Sequence, residues 1–459
     1  MNMKKVYIIG IGGAGTSALA MVYKKRGFEV MGSDNGDGFY TNELYKQGIK
    51  VYNKYDTNHI TNNIDLIVHV SAIKKDNIEL MKARELSIEI ISYAEAIARL
   101  TKELKTIAVC GTHGKTTTTA LTAYALIESK LDPVVIVGSK VSGWRSGAYV
   151  GNGEYFLIEA DEYLNKLALY NPQFIILTSI DFDHPDFFVD FKQYKKVFCD
   201  FVRKIPNNGF LVACGDDDEV REIALCAESQ VFFYGKKELN NCKIIKRETN
   251  EAGQKITVVF RNVKYEINTK LFGLHNAKNV VGAWLMNFLI CNLEQNKVKS
   301  EDIKILIERG TEGINKCRGT ARRFERQGKL NDAILIDDYA HHPEEVRATL
   351  ETAKEVFKNK NIIVAFHPHT FSRTEALLDE FAQSLSIADE VVVLDIFTST
   401  RETSGSITAQ DLVDKVVCDK KQNIHTIQEL AVWMKDNLTK NDVFLTLGAG
   451  DIWKVYDLL

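Results

Sequence analysis

Proline is scarce in this chain, with 6 in 459 residues. No stretch rich in Pro, Gly or Ser separates one part from another, which excludes long flexible linkers and low-complexity segments and leaves domain boundaries weakly marked. No apolar run approaches the roughly 20 residues that a membrane-spanning helix requires. The opening Met1-Asn2-Met3-Lys4-Lys5 leads into an apolar strand and a glycine loop rather than a cleavable signal. The expectation is a soluble, unexported protein. Charge of one sign is also missing: a net charge of -3 with 26% charged residues provides no overall attraction to nucleic acid or anionic lipid. The eight cysteines, Cys110, Cys199, Cys214, Cys226, Cys242, Cys291, Cys317 and Cys418, have no Cys-x-x-Cys spacing, and several sit in apolar runs as buried thiols do. That usage fits a reducing cytoplasm.

What is present is phosphate-binding chemistry. Thr106-Ile-Ala-Val-Cys110 reads as a short apolar strand, followed by Gly111-Thr112-His113-Gly114-Lys115-Thr116-Thr117 and a helix-like continuation to Leu126. A strand, a glycine turn and a helix start aim backbone N–H groups and the positive helix end at phosphate oxygens, with Lys115 as a point charge and a hydroxyl for Mg²⁺. ATP is the expected ligand. Val109 stands where the commonest form of this loop has its first glycine, so this is a shorter variety. A second cluster, Gly10-Ile-Gly12-Gly13-Ala14-Gly15, follows the strand Val6 to Ile9, and Asp34 lies about 20 residues beyond, where a ribose-binding carboxylate belongs. NAD and a UDP-linked substrate satisfy this second loop equally.

The alternation of apolar runs with amphipathic stretches predicts an α/β protein of three domains. Strands are expected at Val6–Ile9, Val30–Met31, Leu66–Val70 and Ile88–Ile91, with a helix near Ser17–Arg26, in a Rossmann-like domain over residues 1–102. A central phosphate-loop α/β domain over 103–315 should contain strands at Pro133–Val137, Tyr155–Ile158, Phe174–Leu177, Gly209–Ala213 and Val231–Tyr234, and a hairpin of Lys255–Phe260 with Lys264–Ile267. A third, Rossmann-like domain over 316–459 should contain strands at Ala333–Ile336, Ile362–Phe366, Glu390–Leu394 and Val443–Leu447.

Acidic residues then fall where such sheets bind ligands. Glu159, Asp161 and Glu162 end one apolar strand, and Asp181, Asp183, His184 and Asp186 follow another. Strand carboxyl ends converge on one crevice, so these groups are expected to meet around Mg²⁺, a hard cation suited to carboxylate oxygens. Glu159 and His184, at the ends of apolar runs, are the stronger candidates; Asp161, Glu162 and Asp186 serve equally well as solvated acids or caps. Further on, His275, Asn276 and Asn279 open a helix with groups able to bond a base and ribose. Tyr339, His341, His342 and Arg373 follow strands of the third domain. The adjacent histidines lack helical-turn spacing and an accompanying thiol, which argues against zinc. Arg373 offers a planar fork for an amino-acid carboxylate.

Gly111-Thr-His-Gly-Lys-Thr-Thr117, Glu159-Ala-Asp-Glu162, Asp183-His184, Gly273-x-His275-Asn-x-x-Asn279, Gly319-Thr-Ala-Arg322-Arg323-Phe324 and Asp337-Asp-Tyr-Ala-His-His-Pro343 occur in order along nearly the whole chain. Together they resemble the Mur ligase family. The resemblance implies an ATP-dependent amide ligase with Mg²⁺, acting on ATP, UDP-N-acetylmuramate and L-alanine, or a ready-made peptide in place of alanine. It implies that Gly10, Gly12, Gly13, Ala14, Gly15, Asp34 and Ser71 contact the UDP substrate. Gly111 to Thr117, His275, Asn276, Asn279 and Arg323 would hold ATP, and Thr116, Glu159 and His184 the metal. Tyr339, His341 and Arg373 would orient the amino acid, with Lys115, His341 and Arg373 closest to the chemistry. Two departures stand out: Ser179 where many relatives carry Asn, and Tyr163-Leu164 where many carry Ser-Asp. An NAD-dependent oxidoreductase would leave the Lys115 loop unused, and a non-catalytic nucleotide-binding protein is the reading if Ser179 marks lost catalysis, which ATP hydrolysis dependent on both substrates would exclude. Monomer and homodimer both remain open.

Overall fold

The computed structural model describes residues 4–36, 38–144, 146–184, 187–250, 252–293, 300–397 and 404–459. Three sheets are gathered into two compact units: the first comprises residues 1–247, 255–270 and 278–320, the second 248–254, 271–277 and 321–459. No described helix is long and apolar enough to cross a membrane.

The first sheet runs Lys50–Tyr52, Glu29–Ser33, Lys5–Ile9, Leu66–His69, Glu89–Ser92, all parallel. Because side chains alternate across a strand, Val6 and Ile8 pack under the helix Ala14–Lys25 with Ala18 and Leu19, while Tyr7 and Ile9 pack on the other face with Ile67 and Leu80. Burial on both faces makes such a strand read as one apolar run. This order reverses direction beside Lys5–Ile9, and ligands of open α/β sheets bind outside the strand carboxyl ends at such a switch. The glycine loop sits there. The strand Glu89–Ser92 leads into the helix Tyr93–Glu103, capped by Ser92 and Glu95, whose side chains accept from each other's backbone N–H.

In the ten-stranded central sheet, Lys105–Cys110 lies between Tyr155–Glu159 and Phe174–Leu177, both parallel to it. Their carboxyl ends therefore bring the phosphate loop, the Glu159 segment and the Thr178 segment side by side. The expected hairpin is present as Gly253–Phe260 and Val263–Thr269, and a further strand, Cys242–Asn250, precedes it. Cys199 and Cys226 form a disulfide, a pairing that the expectation of a reducing environment from the cysteine spacing did not include. The pairing joins the helix Phe191–Val202 to the residues after the helix Asp218–Ala224, two elements far apart in motif terms. The other cysteines are free, and all but Cys418 are buried.

In the second unit the strands run Glu325–Leu330, Ala333–Asp338, Asp442–Leu447, Asn361–Phe366, Glu390–Leu394, Lys420–Ile424, with only the first pairing antiparallel. Ile336, Val364, Val391 and Leu445 face one core, and Leu335, Ile363, Val392 and Phe444 the other.

Candidate active site

The phosphate loop takes its shape from two glycines. Gly111 and Gly114 adopt φ of 127° and 80°, in the region that favours glycine. A Cβ at Gly111 would lie 2.3 Å from Thr178 Oγ1, and one at Gly114 2.6 Å from Asn279 Oδ1. The helix Lys115–Glu128 starts at once, with Gly114 as its N-cap and no side chain capping it, so its first N–H groups remain directed at the loop. Adjacent segments brace the loop: His113 N donates to Ser179 Oγ at 3.0 Å, Thr178 Oγ1 to His113 O at 2.6 Å, and Thr112 Oγ1 to Asp181 O at 2.9 Å. Ser179 thus serves the loop through its hydroxyl.

Lys115 is committed at all three of its N–H positions. It donates to Gly111 O at 2.6 Å, Thr112 O at 3.0 Å and Glu162 Oε2 at 3.0 Å. Burial works against its charge, but the nearby carboxylates, Glu162 first and then Asp161, outweigh that and hold its pKa above the ordinary lysine value. Glu162 is fully buried. It also accepts from Tyr194 Oη at 3.1 Å, and Tyr194, itself fully buried, lies 2.8 Å from Thr112 Oγ1. Tyr194 therefore ties the Glu162–Lys115 pair to the loop.

Thr116 Oγ1 donates to Glu159 Oε1 at 2.8 Å, and the other Glu159 oxygen accepts from Gly138 N at 2.7 Å. Thr117 is buried along the same helix. Among the described residues, the acidic and imidazole groups that converge most closely are Asp161, Glu162 and His184, with ligand atoms within 4.8 Å of one another. His184 has φ of 57°, an uncommon backbone state for a residue with a side chain, and Nε2 lies 3.7 Å from Glu162 Oε1. Asp186 lies outside the described residues. Asp161 bonds Lys166. Burial raises the Asp161 pKa, and Lys166 and Lys115 more than offset this, so the carboxyl titrates below its usual range.

A cavity of 260 Å³ joins this loop to the first sheet, lined by Gly15, Tyr93, Lys115, Glu159, Asp161 and Lys166 among others. On the first-sheet side, Asp34 Oδ2 accepts from Gly12 N at 2.7 Å, so the carboxylate expected to meet a ribose fastens the glycine loop. Gly10 donates to Ser33 O at 2.8 Å, Gly13 caps the helix that Ala14 and Gly15 begin, and Ser71 is exposed beyond the strand Leu66–His69. At the helix Leu274–Leu293, which His275 joins in its first turn, Asn276 Nδ2 donates to Phe272 O at 2.8 Å and Asn279 packs beside Gly114.

In the second unit, Arg322 bonds Asp337, Gly448 O and Gly450 O, which knits together the ends of two neighbouring strands. Arg323 lies 3.6 Å from Glu345 and 5.3 Å from the Tyr339 ring centre. His341 Nδ1 lies 3.0 Å from Tyr339 O. Asp338, buried and pushed up to about 6 by desolvation, accepts from Phe324 N and Ala340 N. Arg373 sits in the helix Phe371–Ala376, after the strand Asn361–Phe366, and its N-cap Thr370 holds φ of 71°. Residue-by-residue reading missed Tyr194 and Lys166. Neither belongs to a local motif, and no spacing signal marks either one.

A phosphate loop whose half-buried Lys115 pairs with fully buried Glu162, flanked by carboxylates on neighbouring parallel strands, defines a phosphate-loop nucleotide-binding protein built on three α/β sheets. Three family models match in chain order: the Mur ligase family catalytic domain over residues 5–105, the Mur ligase middle domain over 109–286, and the Mur ligase glutamate ligase domain over 322–450. The chain belongs to the Mur ligase family. It is 37% identical to UDP-N-acetylmuramate–L-alanine ligase of Clostridium perfringens, covering 99% of this chain and 97% of that one. It is also 37% identical to the enzyme of the same name from Desulfitobacterium hafniense, covering 98% of each. Among solved structures, UDP-N-acetylmuramate-alanine ligase of Thermotoga maritima superposes with a TM-score of 0.78 at 28% identity, covering 99% of this chain and 97% of that one. A murein peptide ligase of Psychrobacter arcticus, at 21% identity and a TM-score of 0.71, shares the fold.

Proposed function

We propose that this protein joins L-alanine to the carboxylate of UDP-N-acetylmuramate with cleavage of ATP to ADP and phosphate, a step of peptidoglycan precursor synthesis in the cytoplasm. The observation that carries the reading is the 260 Å³ cavity in which Lys115 of the phosphate loop and Gly15 of the substrate-side glycine loop face the same space. The full-length similarity to the alanine ligases supports the choice of amine.

A carboxylate is a poor acyl donor. Its oxygen attacks the γ-phosphorus, ADP departs, and the resulting acyl phosphate is displaced by a neutral amine through a tetrahedral intermediate that expels phosphate. Lys115 exchanges Glu162 for the transferring phosphoryl group, the loop N–H groups and helix end bear on its oxygens, and positioning contributes most of the remaining acceleration. The donor set fits a hard divalent cation: the paired Thr116 hydroxyl and Glu159 carboxylate, together with His184 beside Asp161 and Glu162, offer mainly oxygen ligands. Mg²⁺ held there by Thr116, Glu159 and His184 would neutralise phosphate charge. Gly10, Gly12, Gly13, Ala14, Gly15, Asp34 and Ser71, in the domain over 1–102, receive the UDP moiety. His275, Asn276, Asn279 and Arg323 hold the nucleoside of ATP. Tyr339, His341 and Arg373, in the domain over 316–459, orient alanine. The protein acts as a monomer or homodimer.

The test is phosphate release by purified protein with Mg-ATP and UDP-N-acetylmuramate, comparing L-alanine, the ready-made wall tripeptide and no amine. Release confined to alanine is expected. Release confined to the tripeptide would move the protein to wall recycling, and no release with any amine would overturn the reading.

A further inference from the structure

We propose that Lys166 recognises the carboxylate of the UDP-sugar and holds it beside the phosphate loop. The inference rests on the reaction proposed above and adds a substrate-binding residue to it. The cavity between the two glycine loops contains two ammonium groups, Lys115 and Lys166, and two carboxylates, Glu159 and Asp161. Lys115 has its three donors committed to Gly111 O, Thr112 O and Glu162, and the position of the loop assigns it to the triphosphate. Glu159 is engaged by Thr116 and Gly138 N. Lys166 is different. Among the described residues its one hydrogen-bond partner is Asp161, and an ammonium carries three donors, so two remain for a ligand in the cavity.

The backbone is bent to place it there. Leu164 and Asn165 stand at φ of 57° and 53°, a left-handed pair inside the turn Tyr163–Leu169, and this reversal returns Lys166 to Asp161 at the cavity wall. For a bulky leucine that conformation is an outlier, the kind of local strain that persists where the surroundings demand a particular side-chain position. The chemistry needs a cation at this point. An ionised carboxylate has to approach a triphosphate within a wall that already carries Glu159 and Asp161, and like charges repel strongly where water is scarce. Lys166 lies on the same wall, half-buried, and can bond the incoming carboxylate while retaining Asp161.

The experiment is calorimetric binding, without nucleotide or metal, of UDP-N-acetylmuramate and of UDP-N-acetylglucosamine, which lacks the lactyl carboxylate, to wild type, K166M and K166R. A charge-assisted hydrogen bond should give the wild type a preference of roughly 10- to 100-fold for the muramate. K166M should reduce that preference to about twofold or less with little change toward the glucosamine, and K166R should retain most of it. The double variant D161N/K166M, which removes the ion pair as a unit, should show the same loss and covers the case in which K166M alone does not fold. Equal weakening of both sugars in K166M would assign Lys166 a structural role, and an unchanged preference would leave it as the partner of Asp161 only; either result overturns the proposal. Wild type binding neither sugar would instead remove the UDP-substrate reading itself, and this inference with it.

Discussion

Replacing Glu162 with Gln tests the claim that the phosphate loop is held ready by a buried ion pair. Glu162 is fully buried and lies 3.0 Å from Lys115 Nζ. At an effective dielectric constant of about 20, that separation corresponds to an attraction of about 5–6 kcal/mol before desolvation is charged against it. Loss of one partner from a buried pair typically costs about 3–5 kcal/mol, because the other charge is left uncompensated. In E162Q, Lys115 keeps two carbonyl acceptors and the amide oxygen can accept a third bond, so the lower end, about 3 kcal/mol, is expected. K115M leaves Glu162 with Tyr194 as its bonded neighbour and should cost at least as much. At about 2–4 °C per kcal/mol for a large domain, each single variant should lower the melting temperature by roughly 6–12 °C. The double variant removes both charges together and should fall short of the summed losses by at least about 2 kcal/mol, close to the worse single. The assay is thermal unfolding of the four proteins without nucleotide and with a metal chelator. Strictly additive losses, or an E162Q melting point equal to wild type, would refute the pairing as a source of stability.

Alanine at Gly114 must adopt φ of 80° and set its Cβ 2.6 Å from the Asn279 side chain. G114A should weaken ATP binding by at least about tenfold, measured by nucleotide titration, while leaving UDP-sugar binding near wild type. Y194F removes the hydroxyl shared by Thr112 and Glu162, and a loss of about 1–2 kcal/mol in denaturant unfolding is expected, with a rise in the KM for ATP. His367, held down to about 4 by burial, and Asp338, pushed up to about 6 by burial, oppose each other with pH. The unfolded state binds the extra proton for His367, so that contribution, about 3 kcal/mol, is lost as pH falls from 6.5 to 4. The folded state binds it for Asp338, so that contribution, also about 3 kcal/mol, is lost as pH rises from about 4 to 6. The two contributions should therefore nearly cancel across pH 4–6 in wild type. Measured relative to wild type over that range, stability should fall with rising pH in H367Q and rise in D338N, and parallel profiles for all three would contradict the assignment.

The central strands were legible because burial on both faces turns Val6–Ile9, Phe174–Leu177 or Val443–Leu447 into uninterrupted apolar runs. Three strands that escaped notice, Lys50–Tyr52, Glu325–Leu330 and Lys420–Ile424, end their sheets and carry Lys, Glu, Arg or Gln where a central strand would carry Val or Ile, and Cys242–Asn250, inside the central sheet, turns charged and polar after Ile245. The phosphate loop was legible for the opposite reason. Its glycines, lysine and threonine are required within a few consecutive residues, because backbone conformation and ligand approach are local demands. Glu162 read equally well as a solvated acid, since only the fold brings its carboxylate to Lys115, 47 residues away in sequence. Tyr194 reads as one more apolar position on an amphipathic helix, and its hydroxyl acquires meaning through Thr112, 82 residues upstream. Asp34 stands at the distance from the glycine loop that a ribose ligand would ask for, but the turn itself takes one of its oxygens. Nothing in the spacing of eight cysteines singled out Cys199 and Cys226, because packing of two helices brings them together.

The most direct measurement follows oxygen from the carboxylate. UDP-N-acetylmuramate labelled with ¹⁸O in its carboxyl group is incubated with protein, Mg-ATP and L-alanine, and the released phosphate is examined by mass spectrometry. Activation of the carboxylate at the Lys115 loop predicts one labelled oxygen in each phosphate, formed together with the alanyl product. Unlabelled phosphate, or labelled phosphate with no alanyl amide, would contradict the account.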